Sequence, residues 1–182
     1  VTMPADIPAT AIRMYVTGTT LVLYAGNNNT LYKRTIDISS ADVASWTPSD
    51  ISVEQMTMKD SNGDDVIADV TSANIQTHLN YVSGDAYAGY ADLMPLFRNN
   101  DIPVKNGNTW YATLECNSER SHGLNSPTLC LKSTDAGLSW AFMGLIGYTT
   151  SSRIRQVETG IVWIGSTLHT FDRFNRHYTS TD

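Results

Sequence analysis

The sequence predicts a mainly β protein built from antiparallel meanders, with one short helix. Three segments repeat one rhythm, in which a hydrophobic strand, a tight turn and a second strand containing Thr-Leu follow one another. β-Branched and aromatic residues are enriched in these segments, and glycine or asparagine occurs at their turns. With 182 residues, the chain is long enough for one domain with a sizeable core.

The three segments predict three sheet units within a single domain of residues 1–182. The first contains a hairpin over residues 20–34, turning at 26–29. The second has its strands at residues 109–115 and 128–132, and the third at 160–165 and 167–171, with its turn at Ser166. We therefore expect units at about residues 11–58, 96–146 and 153–182, with an insertion at about 59–95.

The expected insertion carries two local signals of its own. Asn62-Gly63 is a strong hairpin signal, and it predicts a hairpin over residues 56–67. Ile75, Leu79 and Val82 have helical spacing, which predicts a short helix ending near Ser83-Gly84. Asp60, Asn62 and Asp64 have the composition of a calcium loop. However, the glycine is misplaced for an EF-hand and no glutamate follows where one is needed, so no metal site is predicted.

Cys116 and Cys130 are the two cysteines of the chain, and they lie on the two arms of one predicted hairpin. A cross-strand disulfide and a pair of buried free thiols both fit this placement. No Cys-x-x-Cys motif or Cys/His cluster accompanies them, so they do not predict a metal site.

Composition and charge restrict the partners. Hydrophobic residues make up 41% of the chain and charged residues 16%, which is typical of a globular domain. The net charge is −6 and the basic residues form no run, so we expect neither nucleic acid nor an anionic membrane surface as a partner. No segment approaches the roughly 20 apolar residues of a membrane span. The bias toward Asn, Thr, Ser, Gly and Tyr is common in extracellular β-proteins and predicts an extracellular or virion-surface location.

The most specific motif lies at residues 133–140 and has the pattern Ser-x-Asp-x-Gly-x-x-Trp. Asp135 can accept hydrogen bonds from backbone N–H groups of its own turn, and Ser133 can do the same more weakly. Gly137 permits a positive φ, and Trp140 can bury a large apolar ring that anchors the next strand. These four residues are therefore interpreted as structural.

This motif resembles the Asp-box, or BNR repeat, of sialidases and related β-propellers, where it is a folding device between a blade's two outer strands, away from the active site. Further features of the first sialidase blade occur here in the same order, namely Phe97-Arg98, Ile102-Pro103, Gly107 to Thr109 and Glu119-Arg120-Ser121-His122-Gly123. The resemblance covers about residues 96–140 and implies antiparallel β-meander blades of a sialidase-like β-propeller.

Three blade-like units are fewer than the roughly four to eight that close a propeller. We therefore expect a partial propeller, completed by further blades or by other chains, including a homo-oligomer. Two departures from the sialidase pattern stand out. Three residues separate Arg98 from Ile102-Pro103, and Ser121 occupies the place where exo-sialidases carry an acidic residue.

The resemblance and the residue types nominate four substrate-binding residues. Arg98 can hold a carboxylate, such as that of an acidic sugar, through two parallel hydrogen bonds; alternatively, it pairs with Asp101 at the surface. Arg120 and Arg153 fit a cationic pocket. A solvated polar loop is the alternative for Arg120, and an interface or an ordinary surface is the alternative for Arg153. Tyr111 can stack on a sugar ring, since strand alternation turns it away from the face that carries Trp110, Ala112 and Leu114.

Glu115, Glu119 and His122 lie on or beside one hairpin loop and are the candidates for general acid/base catalysis. A solvated polar loop explains the same residues. No cofactor is implied. The chain is thus expected to be a carbohydrate-directed module that binds acidic glycans such as sialosides. If it is an enzyme, we expect it to hydrolyse them as an endosialidase-type phage tailspike does. Two further hypotheses fit the sequence: a non-catalytic glycan- or receptor-binding module of a phage tail fibre or secreted surface protein, and a purely structural β-module.

Overall fold

Three β-sheets and one α-helix make up the described part of the chain, a mainly β architecture. The structure is a computed structural model that describes residues 12–27, 29–40, 51–83, 93–96, 103–118, 127–147 and 159–181. The first sheet is antiparallel and contains, in spatial order, β1 (Ile12–Thr17), β2 (Thr20–Asn27), β3 (Thr30–Asp37) and β4 (Ser52–Val53).

The second sheet has seven strands: β5 (Gln55–Lys59), β6 (Asp65–Asp69), β7 (Leu93–Leu96), β8 (Val104–Asn106), β9 (Thr109–Ser118), β10 (Thr128–Ser133) and β11 (Trp140–Leu145). Their spatial order is β6-β5-β11-β10-β9-β7, and β8 also pairs with β9. The third sheet contains β12 (Gly160–Ile164), β13 (Thr167–Phe171) and β14 (His177–Ser180). Helix α1 (Ser72–Ser83) follows β6.

The hairpins and the helix that short sequence patterns predict are present in the structure. β2 and β3 form the first hairpin, and β12 and β13 form the hairpin that turns at Gly165 and Ser166. β5 and β6 pair around the Asn62-Gly63 turn, where Gly63 has a φ of +88°. The predicted helix extends to Ser83, and the Thr71 hydroxyl caps its start by accepting a 3.2 Å hydrogen bond from the Asn74 N–H.

The partition into units differs from the predicted one. β6 and all but the last residue of β7 fall within the stretch expected to be an insertion, yet both strands belong to the seven-stranded sheet, together with β5. β5 joins this sheet through a short parallel pairing with β11, in which Trp140 lies opposite Met56 and Ala141 opposite Thr57. The otherwise antiparallel sheet thus contains one parallel pair, and the three described sheets do not by themselves form a closed ring.

β9 and β10 separate two hydrophobic clusters. The larger one, called the main core below, is built around Tyr15, Val22, Tyr24, Leu31, Met56, Ile75, Leu79, Trp110, Leu114, Leu129, Leu131 and Trp140. On the opposite face of the same strands, Tyr111, Cys130 and Leu168 form a smaller cluster with the partly buried Met143 and Trp163. Trp110, Ala112 and Leu114 all lie in the main core, which confirms the alternation predicted for β9.

Helix α1 covers part of the main core with Ile75 and Leu79, both fully buried. His78, about one turn after Ile75 and directly before Leu79, is also buried, and its ring meets Phe142 edge-on at a centroid distance of 4.2 Å. Within the described ranges, no helix has the length and apolar character that crossing a membrane requires.

Candidate functional site

The turn at residues 133–140 connects β10 to β11 and is held by its own side chains. The Ser133 hydroxyl oxygen accepts a 2.8 Å hydrogen bond from the Gly137 N–H, and the same hydroxyl donates to Asp135 Oδ1 at 2.7 Å. Asp135 Oδ1 also accepts from the Ser139 N–H at 2.8 Å, and Oδ2 accepts from the Ser139 hydroxyl. Ala136 and Gly137 both have positive φ, at +59° and +84°. The side chains of Ser133 and Asp135 thus satisfy backbone donors of the turn from within the turn itself.

The charge state of Asp135 follows from these contacts. Burial acts to raise the pKa of its carboxyl, but the hydrogen bonds donated by Ser139 and Ser133 outweigh burial and hold this pKa below its ordinary value. The carboxylate is therefore ionised at neutral pH and acts as a hydrogen-bond acceptor. This role is structural and does not need proton transfer.

The same turn lies against the first sheet. Tyr15 Oη donates to the Gly137 carbonyl, Lys33 Nζ donates to the Leu138 carbonyl, and Trp140 Nε1 donates to Tyr24 Oη at 3.0 Å. The partners in these three hydrogen bonds are 105 to 122 positions apart in the chain. The turn therefore connects the first sheet to the second, a long-range role in addition to its local one.

A buried ion pair lies beneath this contact. Lys33 Nζ is 3.2 Å from Glu54 Oε2, and the Glu54 side chain is only 3% exposed. Burial raises the pKa of the Glu54 carboxyl to about 7, because the favourable interaction with Lys33 only partly offsets the loss of hydration. Burial, together with the nearby Glu54, also raises the pKa of Tyr24 well above its ordinary value. A carboxyl that titrates near neutrality thus lies close to the turn.

We expect Glu54→Gln to remove a pH dependence of stability. The pKa of Glu54 is raised from 4.5 to about 7 in the folded chain, so the carboxyl's contribution to stability is fully present below pH 4.5. That contribution is lost as the pH rises through about 7, and the shift corresponds to roughly 1–3 kcal/mol. The free energy of unfolding of the wild type should therefore fall between pH 4.5 and about 7, which urea titrations at several pH values would measure. The glutamine variant should lack this contribution to the fall.

His78 is a second group whose titration affects stability in the same measurement. Burial lowers the pKa of His78, so its contribution has the opposite sign, and stability falls as the pH falls below about 6.5. Both proteins keep His78, so the difference between their two curves isolates Glu54. Parallel curves for wild type and variant would refute the assignment to Glu54.

Five of the nominated binding and catalytic residues lie outside the described residues: Arg98, Glu119, Arg120, His122 and Arg153. The structure therefore gives the five nominated side chains no positions.

The two nominated residues that the structure does describe are both enclosed. Glu115 is 4% exposed and lies within β9, opposite Thr128 of β10, rather than on an open loop. Tyr111 is 1% exposed, and the ring of Trp163 stacks on it at a centroid distance of 5.1 Å. The expectation that Glu115 acts as an acid or base and that Tyr111 stacks on a sugar is corrected accordingly. The third sheet covers the face of β9 on which Tyr111 lies.

The cysteines are both free and buried. Cys116 belongs to the main core and Cys130 to the smaller cluster on the opposite face of the sheet, so the two thiols point to different sides. Burial strongly raises the pKa of Cys116, which makes its thiol unreactive. The structure therefore contains two buried free thiols and no cross-strand disulfide between them.

His169 and His177 form a side-chain pair that the sequence did not predict. The Nδ1 atom of His169 lies 2.8 Å from Nε2 of His177 across β13 and β14, and Phe171 stacks on His177. Among the residues that the structure describes, no group of three or more His, Cys, Asp or Glu side chains could hold a metal ion. Strand register brings the two imidazoles together, and register is not visible in the spacing of the two histidines alone.

No model of a known protein family matches the chain, and no curated protein matches it. The resemblance of residues 96–140 to sialidase-type β-propellers therefore stays a prediction.

Proposed function

We propose that this chain is a glycan-binding module of the sialidase-like β-propeller type, recognising acidic saccharides such as sialosides without hydrolysing them. The observation that supports this most is the turn at residues 133–140. Ser133 and Asp135 hold this turn together through hydrogen bonds with one another and with the Gly137 and Ser139 N–H groups, which supports the proposed resemblance. A mainly β architecture with antiparallel hairpins is consistent with the proposal.

Two observations on possible catalytic carboxyl groups support the non-catalytic form of the proposal. Glu115 is 4% exposed within a sheet, and this burial counts against contact between its carboxyl and a glycosidic oxygen. Ser121 replaces the acidic residue of exo-sialidases, so the hairpin loop also lacks that carboxyl. Binding through Arg98, Arg120 and Arg153 needs no such group, because a guanidinium recognises a carboxylate by two parallel hydrogen bonds. On this proposal the module works outside the cell or on a virion.

The test compares binding of the full chain to sialylated glycans and to the same glycans after removal of sialic acid. We expect binding to the sialylated set alone, and Arg98→Ala should weaken it roughly tenfold or more, since a bidentate charged contact is lost. Arg98→Lys keeps the charge but not the two-bond geometry, so it should recover only part of the affinity. Arg173→Ala, at an exposed arginine on the β13–β14 turn, is the matched control.

Three results would count against the proposal. Equal binding to both glycan sets would reject recognition of acidic saccharides. Unchanged binding in Arg98→Ala would remove Arg98 from the site. Shorter products from polysialic acid would reject the non-catalytic form and support an endosialidase instead.

A further inference from the structure

The dipeptide Asn-Gly occurs at two tight turns between strands, Asn62-Gly63 between β5 and β6 and Asn106-Gly107 between β8 and β9. An asparagine before glycine can react with its own backbone, because glycine has no Cβ atom to shield the attacking nitrogen. The glycine nitrogen forms a bond to the asparagine Cγ, and the amide nitrogen leaves as ammonia, taking up the proton that the glycine nitrogen loses. Water then opens the cyclic imide at either carbonyl and gives aspartate or isoaspartate.

The turn at Asn106-Gly107 is open to this reaction. Both residues are exposed, and a Cβ atom added at Gly107 would meet no atom within 4 Å. The strand pairing joins Asn106 to Thr109, and Gly107 has a φ of +59°, as glycine has at the first central position of a type II′ turn. The Gly107 N–H takes no part in that pairing, and no described residue accepts a hydrogen bond from it.

The turn at Asn62-Gly63 is held much more firmly, although Asn62 is exposed as well. The Gly63 N–H donates a 3.2 Å hydrogen bond to the Asp60 carbonyl. Asp60 Oδ1 accepts hydrogen bonds from the Asn62 N–H at 2.8 Å and from the Asp64 N–H at 3.0 Å. Tyr81 of α1 packs on the turn, since a Cβ atom added at Gly63 would lie 2.8 Å from Tyr81 Cζ. The nitrogen that would attack is thus bonded and covered.

The two hairpins also differ in how easily they open. Ring closure requires the asparagine Cγ to swing onto the next backbone nitrogen, so the turn must leave its folded conformation for a moment. The free energy of such local opening depends on the contacts that hold the segment. β8 is a three-residue strand held to β9 by three residue pairs, whereas five pairs hold β5 to β6.

We propose that Asn106 is a site of spontaneous modification, at which the Gly107 nitrogen displaces ammonia and water completes the conversion to aspartate or isoaspartate. At Asn62 the hydrogen bonds of the turn and the Tyr81 ring hold the same reaction back. The product at residue 106 carries a new negative charge beside Lys105, whose Nζ lies 4.0 Å from the centroid of the Trp110 ring. Isoaspartate also adds a methylene group to the main chain at the last residue of β8, which disturbs its pairing with Thr109.

The test is to incubate the full chain at mildly alkaline pH in isotopically labelled water and to follow both asparagines by mass spectrometry of tryptic peptides. Cleavage after Lys59 and Lys105 places Asn62 and Asn106 in separate peptides. We expect Asn106 to convert roughly tenfold or more faster than Asn62, because opening the Asn62 turn breaks hydrogen bonds that the Asn106 turn lacks. The product should carry the label of the water, and isoaspartate should be recognised by enzymatic methylation.

Two comparisons assign the difference to the fold. In urea the two asparagines should convert at similar rates, since both then precede glycine in an unfolded chain. Tyr81→Ala should speed conversion at Asn62 several-fold and leave Asn106 unchanged; Tyr81 is 45% exposed, so the variant should fold. If circular dichroism shows that it does not fold, the comparison of native chain with urea decides alone.

The proposal is overturned if Asn106 of the folded chain gives no labelled product, or if Asn62 converts as fast as Asn106 in the folded chain. It is also overturned if the two rates differ as much in urea as in the folded chain, because the fold would then not be the cause. None of these outcomes bears on Arg98, so the glycan proposal stands or falls separately.

Discussion

Trp140→Ala should lower the free energy of unfolding by about 3–5 kcal/mol, as loss of a buried tryptophan commonly does. The indole is 3% exposed and lies in the main core, so alanine would leave a large cavity there. The variant would also remove the hydrogen bond that Trp140 Nε1 donates to Tyr24 Oη. A typical domain is stable by only about 5–15 kcal/mol, so urea unfolding should show a large fall in the midpoint.

Trp140→Phe separates the two parts of this effect. Phenylalanine keeps most of the apolar volume but cannot donate to Tyr24, so we expect a smaller loss of about 1–3 kcal/mol. A double-mutant cycle with Tyr24→Phe would give the coupling between the two rings. If Trp140→Phe costs as much as Trp140→Ala, ring burial is not what Trp140 contributes.

The features that sequence reasoning predicted correctly are local. Asn62-Gly63 fixes a hairpin because few residues adopt the backbone of such a tight turn, and Gly63 indeed has a positive φ. Ile75 and Leu79 are spaced by one helical turn, and both become buried when α1 packs on the main core. Each of these signals lies within a few residues of the structure it determines.

The features that sequence reasoning missed depend on residues far apart in the chain. The parallel contact between β5 and β11 involves two residue pairs and has no signature in either strand. Nothing in the local pattern of β1 or β3 distinguishes Tyr15 and Lys33 as partners of the turn at residues 133–140. Long-range contacts of this kind are decided by packing between sheets.

The candidate site shows the same limit. The alternation of side chains along β9 correctly predicts that Tyr111 lies on the face opposite the main core. It does not reveal that Trp163 of the third sheet covers this face. Glu115 was placed at a loop because the end of β9 was expected earlier. The strand continues to Ser118, so Glu115 is paired and buried. Exposure in a sheet thus depends on which other sheet packs on it and where strand pairing ends.

Gly137→Ala should also destabilise the protein strongly, by roughly 2–4 kcal/mol, as a left-handed backbone and an overpacked contact both add to the cost. Gly137 has a φ of +84°, which side-chain-bearing residues rarely adopt. A Cβ atom there would lie 2.8 Å from Tyr15 Oη and 3.0 Å from Trp110 Cε3. Both rings are buried, and Tyr15 is held by its hydrogen bond to the Gly137 carbonyl, so neither moves away easily.

Gly165→Ala is the matched control, because Gly165 has a similar φ of +62° but an added Cβ would meet no atom within 4 Å. We expect it to cost only the backbone strain, about 1–2 kcal/mol. The difference in free energy of unfolding between the two glycine variants therefore measures how closely Tyr15 and Trp110 pack on the turn. Equal losses would mean that the first sheet can shift without cost, and the turn would then be a local device rather than a junction between two sheets.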